Sequence, residues 1–311
     1  MTNVLITGGA GFIGVHLVDH LLGVGGYDVT VIDNESLGDS RNLDLDRVRF
    51  VAGDLRDPVA TREAVEGQDA VVHLAADTRV MDSIADPAFN FENNVVASFQ
   101  LLQTCRELGV RRVVAASTGG AILGEVSPPV HEGMAPSPTS PYGASKLMLE
   151  GYLSAFAASY GLSTCALRFS NIYGPRSFHK GSVVAHFYKQ VLAGRPLEVF
   201  GDGTQARDFL YAGDLVEAIQ RAVESDATGA YQLGSGRPTT VNELLDVIGR
   251  VTGRELDVRY QDFRDGEIRR TWCQVDKARE VLGFEPTTSL EEGLAATWEW
   301  FVRQPAPAAG S

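Results

Sequence analysis

Lysine is nearly missing from this sequence. Of 311 residues only 4 are lysine, and 27 basic residues face 40 carboxylates, for a net charge of −13. So acidic a chain is poorly suited to wrapping nucleic acid or lying on anionic lipid. Cysteine is equally sparse. Cys105, Cys165 and Cys273 are odd in number, widely spaced and form no Cys-x-x-Cys pair. That spacing argues against a disulfide framework and against a metal site, and it fits a reducing cytoplasm. Apolar runs of about 18 residues, the length of a membrane span, are absent. The chain opens on the apolar Val4-Leu5-Ile6 without a basic leader, so no secretory signal is expected. With 44% hydrophobic and 22% charged residues the composition is that of a globular enzyme. At about 150 residues per domain, two domains or one large α/β unit fit the length.

The first half alternates short apolar runs with helical periodicity. Strands are expected at Val4–Thr7, Val29–Ile32, Phe50–Val51, Ala70–Leu74, Val113–Ala116 and Thr164–Phe169. Helices are expected at Phe12–Leu22, Asn90–Leu108 and 141–160. Strands separated by crossovers of this length predict a doubly wound parallel sheet, an α/β Rossmann architecture, with a smaller α/β C-terminal substrate domain. The expected division assigns 1–171 and 208–233 to the first domain and 172–207 and 234–303 to the second. Residues 304–311, rich in Pro, Ala and Gly, read as a tail.

Between the first strand and first helix lies Thr7-Gly8-Gly9-Ala10-Gly11-Phe12-Ile13-Gly14. Glycines at this point allow a tight turn and close approach of a diphosphate to the backbone at Gly8, Gly11, Phe12 and Ile13. The helix N-terminus adds free N–H groups and a positive dipole end. Asp33 ends the second strand 19 residues beyond Gly14. A carboxylate there accepts both ribose hydroxyls and repels a 2′-phosphate, which favours NAD over NADP. Asn34 adjoins it. Asp54-Leu55 follows the third strand, placed to meet an adenine amino group, and Leu74-Ala75-Ala76 offers small residues at the fourth. His73 reads as a packed histidine rather than a catalyst.

Tyr142-Gly143-Ala144-Ser145-Lys146 sets a phenol and an ammonium at i and i+4 on one helix face. A neighbouring ammonium favours phenolate, so Lys146 is expected to lower the pKa of Tyr142 and make it a general base.

Together with the upstream hydroxyls Ser117-Thr118 and with Asn171-Ile172-Tyr173-Gly174-Pro175, these motifs resemble the extended short-chain dehydrogenase/reductase family. Within it the chain is similar to the NAD-dependent nucleotide-sugar epimerases, over nearly its whole length. The resemblance implies retained NAD and a transient oxidation of the sugar at C4. It implies that Thr118, with Ser117 beside it, hydrogen-bonds the 4-hydroxyl, that Tyr142 takes its proton, and that Lys146 holds the nicotinamide ribose. Asn93 would approach the nicotinamide end. Asn171, Val183 and Arg207 would meet the nucleoside diphosphate, Arg264 a phosphate and Glu267 the ribose. Thr271 falls where the family gates the sugar 2-substituent. A homodimer through the helices at 90–108 and 141–160 is also implied.

The same resemblance separates reactions. Related 4,6-dehydratases carry an acidic pair just after the hydroxyl, and UDP-glucuronate decarboxylases carry a glutamate nearby. Gly119 and Gly120 stand in that stretch here. The expected reaction is therefore 4-epimerisation of a UDP-hexose, UDP-N-acetylhexosamine or UDP-uronate, with dehydratase, decarboxylase or net oxidoreductase as the alternative. The cationic stretch Arg176-Ser177-Phe178-His179-Lys180-Gly181 is expected near the sugar.

Overall fold

The computed structural model describes residues 1–263 and 269–304. In chain order its elements begin β1 (Thr2–Thr7), α1 (Phe12–Val24), β2 (Tyr27–Asp33), β3 (Arg49–Ala52), α2 (Pro58–Val65) and β4 (Ala70–His73). They continue with α3 (Val80–Ala85), α4 (Pro87–Asn90), a π turn (Phe91–Val96), α5 (Ala97–Glu107), β5 (Arg112–Thr118) and α6 (Pro141–Tyr160). Then come β6 (Ser163–Phe169), β7 (Asn171–Tyr173), α7 (Val183–Ala193), β8 (Leu197–Phe200), β9 (Ala206–Arg207), β10 (Phe209–Tyr211) and α8 (Ala212–Glu224). The last are β11 (Gly229–Leu233), β12 (Thr239–Thr240), α9 (Val241–Thr252), β13 (Val258–Gln261), α10 (Asp276–Leu282) and α11 (Leu290–Phe301).

Seven strands form one parallel sheet in the order β11-β6-β5-β4-β1-β2-β3. Strand alternation sorts the side chains. Val4 and Ile6 face a cluster built with Val15, Leu17 and Leu21 of α1 and Leu215 and Ile219 of α8. Leu5, between them, faces Ala64 of α2, Leu101 of α5 and Leu153 of α6. Both faces of the sheet are thus covered, as a parallel sheet requires. The order reverses between β1 and β4, and in such sheets the crevice at that reversal is where ligands bind.

A separate apolar cluster joins Tyr188 and Phe187 of α7, Leu197 and Val199 of β8, Leu244 and Ile248 of α9, and Leu294 and Phe301 of α11. Here the pairing is local: β7 with β10 and β8 with β13 in parallel, β9 with β12 antiparallel.

Two elements depart from the sequence reading. The helix expected over 90–108 is three pieces, because the ladder widens to a π turn at Phe91–Val96, where the Ala97 N–H reaches back to the Glu92 carbonyl. The crossover helix α2 had a signal that periodicity did not show: Asp57 caps it through the Val59 N–H at 2.8 Å, and Pro58 follows at the first position. The tail expected from 304 lies, past Gln304, outside the described residues.

Candidate active site

The crevice at the reversal is lined by the glycine turn, by Asp33 and Asn34 after β2, by Asp54 and Leu55 after β3, and by Leu74, Ala75 and Ala76 after β4. Asn93, Ser117, Tyr142 and Lys146 line its other end. The turn is shaped for close approach. Gly8 has φ +68°, and a Cβ on Gly14 would stand 2.4 Å from the Gly8 carbonyl oxygen. Gly11 caps α1 without a side-chain hydrogen bond, so the first N–H groups of the helix face the crevice without a side-chain partner. Asp33 ties the turn down: Oδ2 accepts from the Ala10 N–H at 3.0 Å and Oδ1 from the Glu35 N–H at 2.8 Å. Burial raises its pKa, against these hydrogen bonds. Asp54 accepts from both Arg56 and Asn34, and Arg56 holds its carboxyl well below the usual range. The donor set and the bare glycine surface fit a dinucleotide, for which the helix N-terminus would hold the diphosphate and Asp33 a ribose.

His73 is buried and fixed. Ser98 donates its hydroxyl to the Asn94 carbonyl, so His73 Nε2 donates to Ser98 Oγ at 2.8 Å. Its Nδ1 then accepts from Thr7 Oγ1 at 2.7 Å, and Thr7 in turn accepts from the Ala75 N–H at 3.2 Å. Burial lowers this imidazole to about 3, with Lys146 adding to the effect. It holds the crevice wall and stays neutral at working pH.

The catalytic end is organised by α6. Ser140 caps it through the Gly143 N–H at 3.1 Å, with Pro141 at the first position. Gly143 brings the helix against the loop after β5, since a Cβ there would stand 2.2 Å from the Ala121 carbonyl oxygen. Ser145 donates to the Tyr142 carbonyl at 2.8 Å and accepts from Asn94 Nδ2 at 3.1 Å. Asn94 also bonds Asp77 in both directions, at 2.8 and 2.9 Å, which anchors the π turn to the crevice wall. Unusual turns of this kind cluster at functional sites.

Thr118 Oγ1 accepts from the Ala121 N–H at 3.4 Å, and its hydroxyl acts on the Tyr142 phenol so as to lower its pKa. Ser117 instead donates to Glu150 Oε1 at 2.5 Å. Glu150 is gripped by Arg168, with Nε and Nη2 at 2.9 and 2.8 Å. Lys146 Nζ donates to the Ala116 carbonyl at 2.9 Å. The expected lowering of Tyr142 by Lys146 does not appear: burial pushes the phenol up to about 12, and only the Thr118 hydrogen bond opposes it. Burial likewise lowers Lys146 to about 8, with Glu150 pulling the other way. Desolvation exceeds the pairing that the i, i+4 spacing suggests, because the ammonium is engaged by a carbonyl.

Asn171, Val183 and Arg207 come together in a second pocket, with Tyr173, Phe187, Phe200 and Gln205. Asn171 Nδ2 donates to the Asp208 carbonyl at 3.1 Å. Thr271 stands apart from that pocket and faces Gly120, its Cγ2 3.5 Å from where a Cβ would sit. Arg264 and Glu267 lie outside the described residues. Of the cationic stretch, Arg176 turns back to Asp19 at 2.9 Å, whereas His179 and Lys180 line the crevice. Sequence reasoning missed Glu150, Arg168, Asn94 and Ser145. Glu150 carried a signal, lying at i+4 from Lys146 and i+8 from Tyr142 on one helix face. Among the described residues no cluster of His, Cys, Asp and Glu could hold a metal. No helix there is long and apolar enough to cross a membrane.

A diphosphate cradle at a switch point, with a buried Tyr–Lys pair at its far end, defines a dinucleotide-dependent enzyme of the short-chain dehydrogenase/reductase class. The chain belongs to the NAD dependent epimerase/dehydratase family, whose model matches residues 4–234. It is 38% identical over 308 residues to the UDP-glucose 4-epimerase of Mycolicibacterium smegmatis, covering 96% of this chain and 97% of that one. The crystal structure of UDP-glucose 4-epimerase from Thermotoga maritima with UDP-glucose matches it with a TM-score of 0.93 at 39% identity, over 97% of this chain and 99% of that one. The crystal structure of UDP-glucuronic acid 4-epimerase from Bacillus cereus, in complex with UDP-glucuronic acid and NAD, matches with a TM-score of 0.89 at 29% identity, over 97% and 99%.

Proposed function

We propose that the protein is an NAD-dependent UDP-sugar 4-epimerase, an isomerase. The observation that carries this reading is the Tyr142–Lys146 pair lining the end of the glycine-turn crevice, beside a loop with no acid or base to eliminate water. Gly119 makes that loop specific. A Cβ there would meet Gln232 Oε1 at 2.9 Å, the Phe169 carbonyl at 3.1 Å and Cys273 Sγ at 3.3 Å. An acidic side chain at 119 has no room, which speaks against dehydratase and decarboxylase chemistry.

NAD, when bound, would supply the hydride acceptor for C4 and a positive charge on its nicotinamide. The chain's own residues do the rest. Thr118 Oγ1 accepts from the Ala121 N–H, so its own hydroxyl proton is free to be donated toward the Tyr142 oxygen, stabilising the phenolate. Tyr142 takes the proton of the sugar 4-hydroxyl and returns it after the sugar has turned. Lys146 holds the nicotinamide ribose. Ser117, engaged by Glu150, is a positioning residue. Asn171, Val183 and Arg207 hold the nucleoside diphosphate while the 4-keto sugar rotates, and Thr271 with Gly120 borders its 2-substituent.

Within this reading 1–171 and 208–233 hold the cofactor, and 172–207 and 234–303 the nucleotide sugar; the apolar clusters support this in the main, although Ala278, Leu282 and Phe284 pack with the first and Phe209 with the second. A homodimer through α5 and α6 is supported by Phe99, Met148 and Tyr152, exposed at 37, 39 and 38%. Leu147 and Phe156 pack within their own chain. Free buried cysteines support the cytoplasm as its place.

The test is proton NMR of the purified protein with UDP-glucose, UDP-N-acetylglucosamine and UDP-glucuronate, no cofactor added. A new anomeric signal from a 4-epimer is expected for at least one sugar. A 4-keto-6-deoxy product, or no change in any sugar, would overturn the reading.

A further inference from the structure

The sugar has to cross from one pocket to the other. His179 and Lys180 line the cofactor crevice, and the next residues, Gly181, Ser182 and Val183, line the nucleotide pocket. A sugar joined to a diphosphate at Asn171 and Arg207, and presenting C4 to Tyr142, passes this segment. The segment is built rather than loose. Arg176 adopts φ +63° and is held by Asp19 at 2.9 Å and by the Asn42 carbonyl at 3.3 Å. Ser177 Oγ donates to the Gly174 carbonyl at 2.7 Å, and the Lys180 N–H to the Ser177 carbonyl at 2.9 Å. Lys189 Nζ closes the turn on the Lys180 carbonyl at 3.1 Å.

Lys180 so fixed is part-buried, and among the described residues no carboxylate forms an ion pair with its ammonium. Asp77, on the same crevice, acts on it only through space, because Asp77 is engaged by Arg79. Asp77 Oδ1 accepts from the Arg79 N–H at 3.0 Å and Oδ2 from Nη2 at 2.8 Å. A part-buried ammonium without a direct ion pair is costly, and this chain places one of its four lysines there despite a surplus of carboxylates. The ammonium lines the crevice that also holds Tyr142, immediately before the residues that line the nucleotide pocket. C6 is attached to C5, the neighbour of C4, so a 6-carboxylate lies within reach of the same wall.

We propose that Lys180 receives the C6 carboxylate of a UDP-uronate, and that the UDP-glucuronate/UDP-galacturonate pair is the preferred substrate. This rests on the reading of the site as a 4-epimerase. A hexose hydroxymethyl group gives Lys180 a neutral acceptor, whereas a carboxylate gives a charge-assisted hydrogen bond, worth about a further tenfold or more in recognition.

The experiment measures kcat and KM for UDP-glucuronate and UDP-glucose on the holoenzyme, its Lys180→Met variant and its Lys180→Arg variant, with bound NAD assayed in each. The wild type is expected to favour UDP-glucuronate. K180M should lower the kcat/KM ratio of uronate over hexose at least about tenfold, mainly through KM, and K180R should restore part of it. Turnover of UDP-glucose without UDP-glucuronate overturns the proposal and leaves the epimerase standing. So does a K180M effect equal on both sugars. Turnover of neither by the wild type overturns the epimerase reading and this proposal with it. Should K180M fail to fold, the wild-type preference and K180R decide.

Discussion

Ser117 gives its hydroxyl to Glu150, at 2.5 Å, while the adjacent Thr118 meets Tyr142. Alternation along β5 sends the two neighbours in different directions, and only one of them reaches the phenol. Thr118→Val should therefore lower kcat about a hundredfold or more, with the fold intact. Ser117→Ala acts differently. It leaves the Glu150–Arg168 pair short of a donor and should cost about 1–3 kcal/mol of stability, with a smaller loss in kcat than T118V. Steady-state rates beside denaturant melts of both variants check this. Equal losses in kcat would refute the division of roles.

Lys146, as the proposed partner of the nicotinamide ribose, should make NAD binding sensitive to pH. Burial lowers its ammonium to about 8. Below that pH the charged group donates most strongly to a ribose hydroxyl, and above it the neutral amine donates weakly. Affinity of the apoprotein for NAD should weaken as pH rises through 8. Titration calorimetry from pH 6.5 to 9.5 reads this, and Lys146→Met should bind weakly at every pH with a flat profile. A wild-type profile as flat as that of the variant would refute the assignment.

His73 sets an acid limit on stability. Its folded value, about 3, lies below the unfolded 6.5, so the unfolded chain binds the extra proton between these pH values. The contribution is present above pH 6.5 and is lost as pH falls toward 3, at up to about 1.4 kcal/mol per pH unit. Urea midpoints should fall over this window. His73→Gln should start less stable at pH 7, for it loses both hydrogen bonds, yet show a shallower decline. A decline as steep in the variant would place the acid sensitivity elsewhere.

Much of this was legible in the sequence, and the gaps have physical causes. The parallel sheet, the glycine turn and Pro141–Tyr160 follow from periodicity and capping, which are local. The split of the helix expected over 90–108 was not legible, because no local residue pattern in Phe91–Val96 marks where the ladder widens. What widens it is distant: Asn94 bonding Asp77, 17 residues away, and Ser145, 51 residues away. The same holds for the phenol. The i, i+4 spacing of Tyr142 and Lys146 is local, but the burial that governs both pKa values comes from the assembled crevice. Arg176 was expected near the sugar with Lys180. Its turn back toward Asp19 depends on a contact 157 residues away.

The two glycines of α6 give a matched test of how the helix seats the site. A Cβ on Gly143 would stand 2.2 Å from the Ala121 carbonyl, a backbone atom that cannot swing aside, whereas one on Gly151 would meet nothing within 4 Å. Gly143→Ala must push α6 off the loop that carries Thr118, separating the hydroxyl from Tyr142. It should cost about 1–3 kcal/mol, or more, and lower kcat at least tenfold in whatever fraction folds. Gly151→Ala should instead stabilise by about 0.5–1 kcal/mol, since alanine suits an exposed helix interior better than glycine. Thermal melts and rates of both variants check the pair. A harmless Gly143→Ala would mean that the helix and loop are free to move apart, and that the Thr118–Tyr142 hydrogen bond is not seated by this contact.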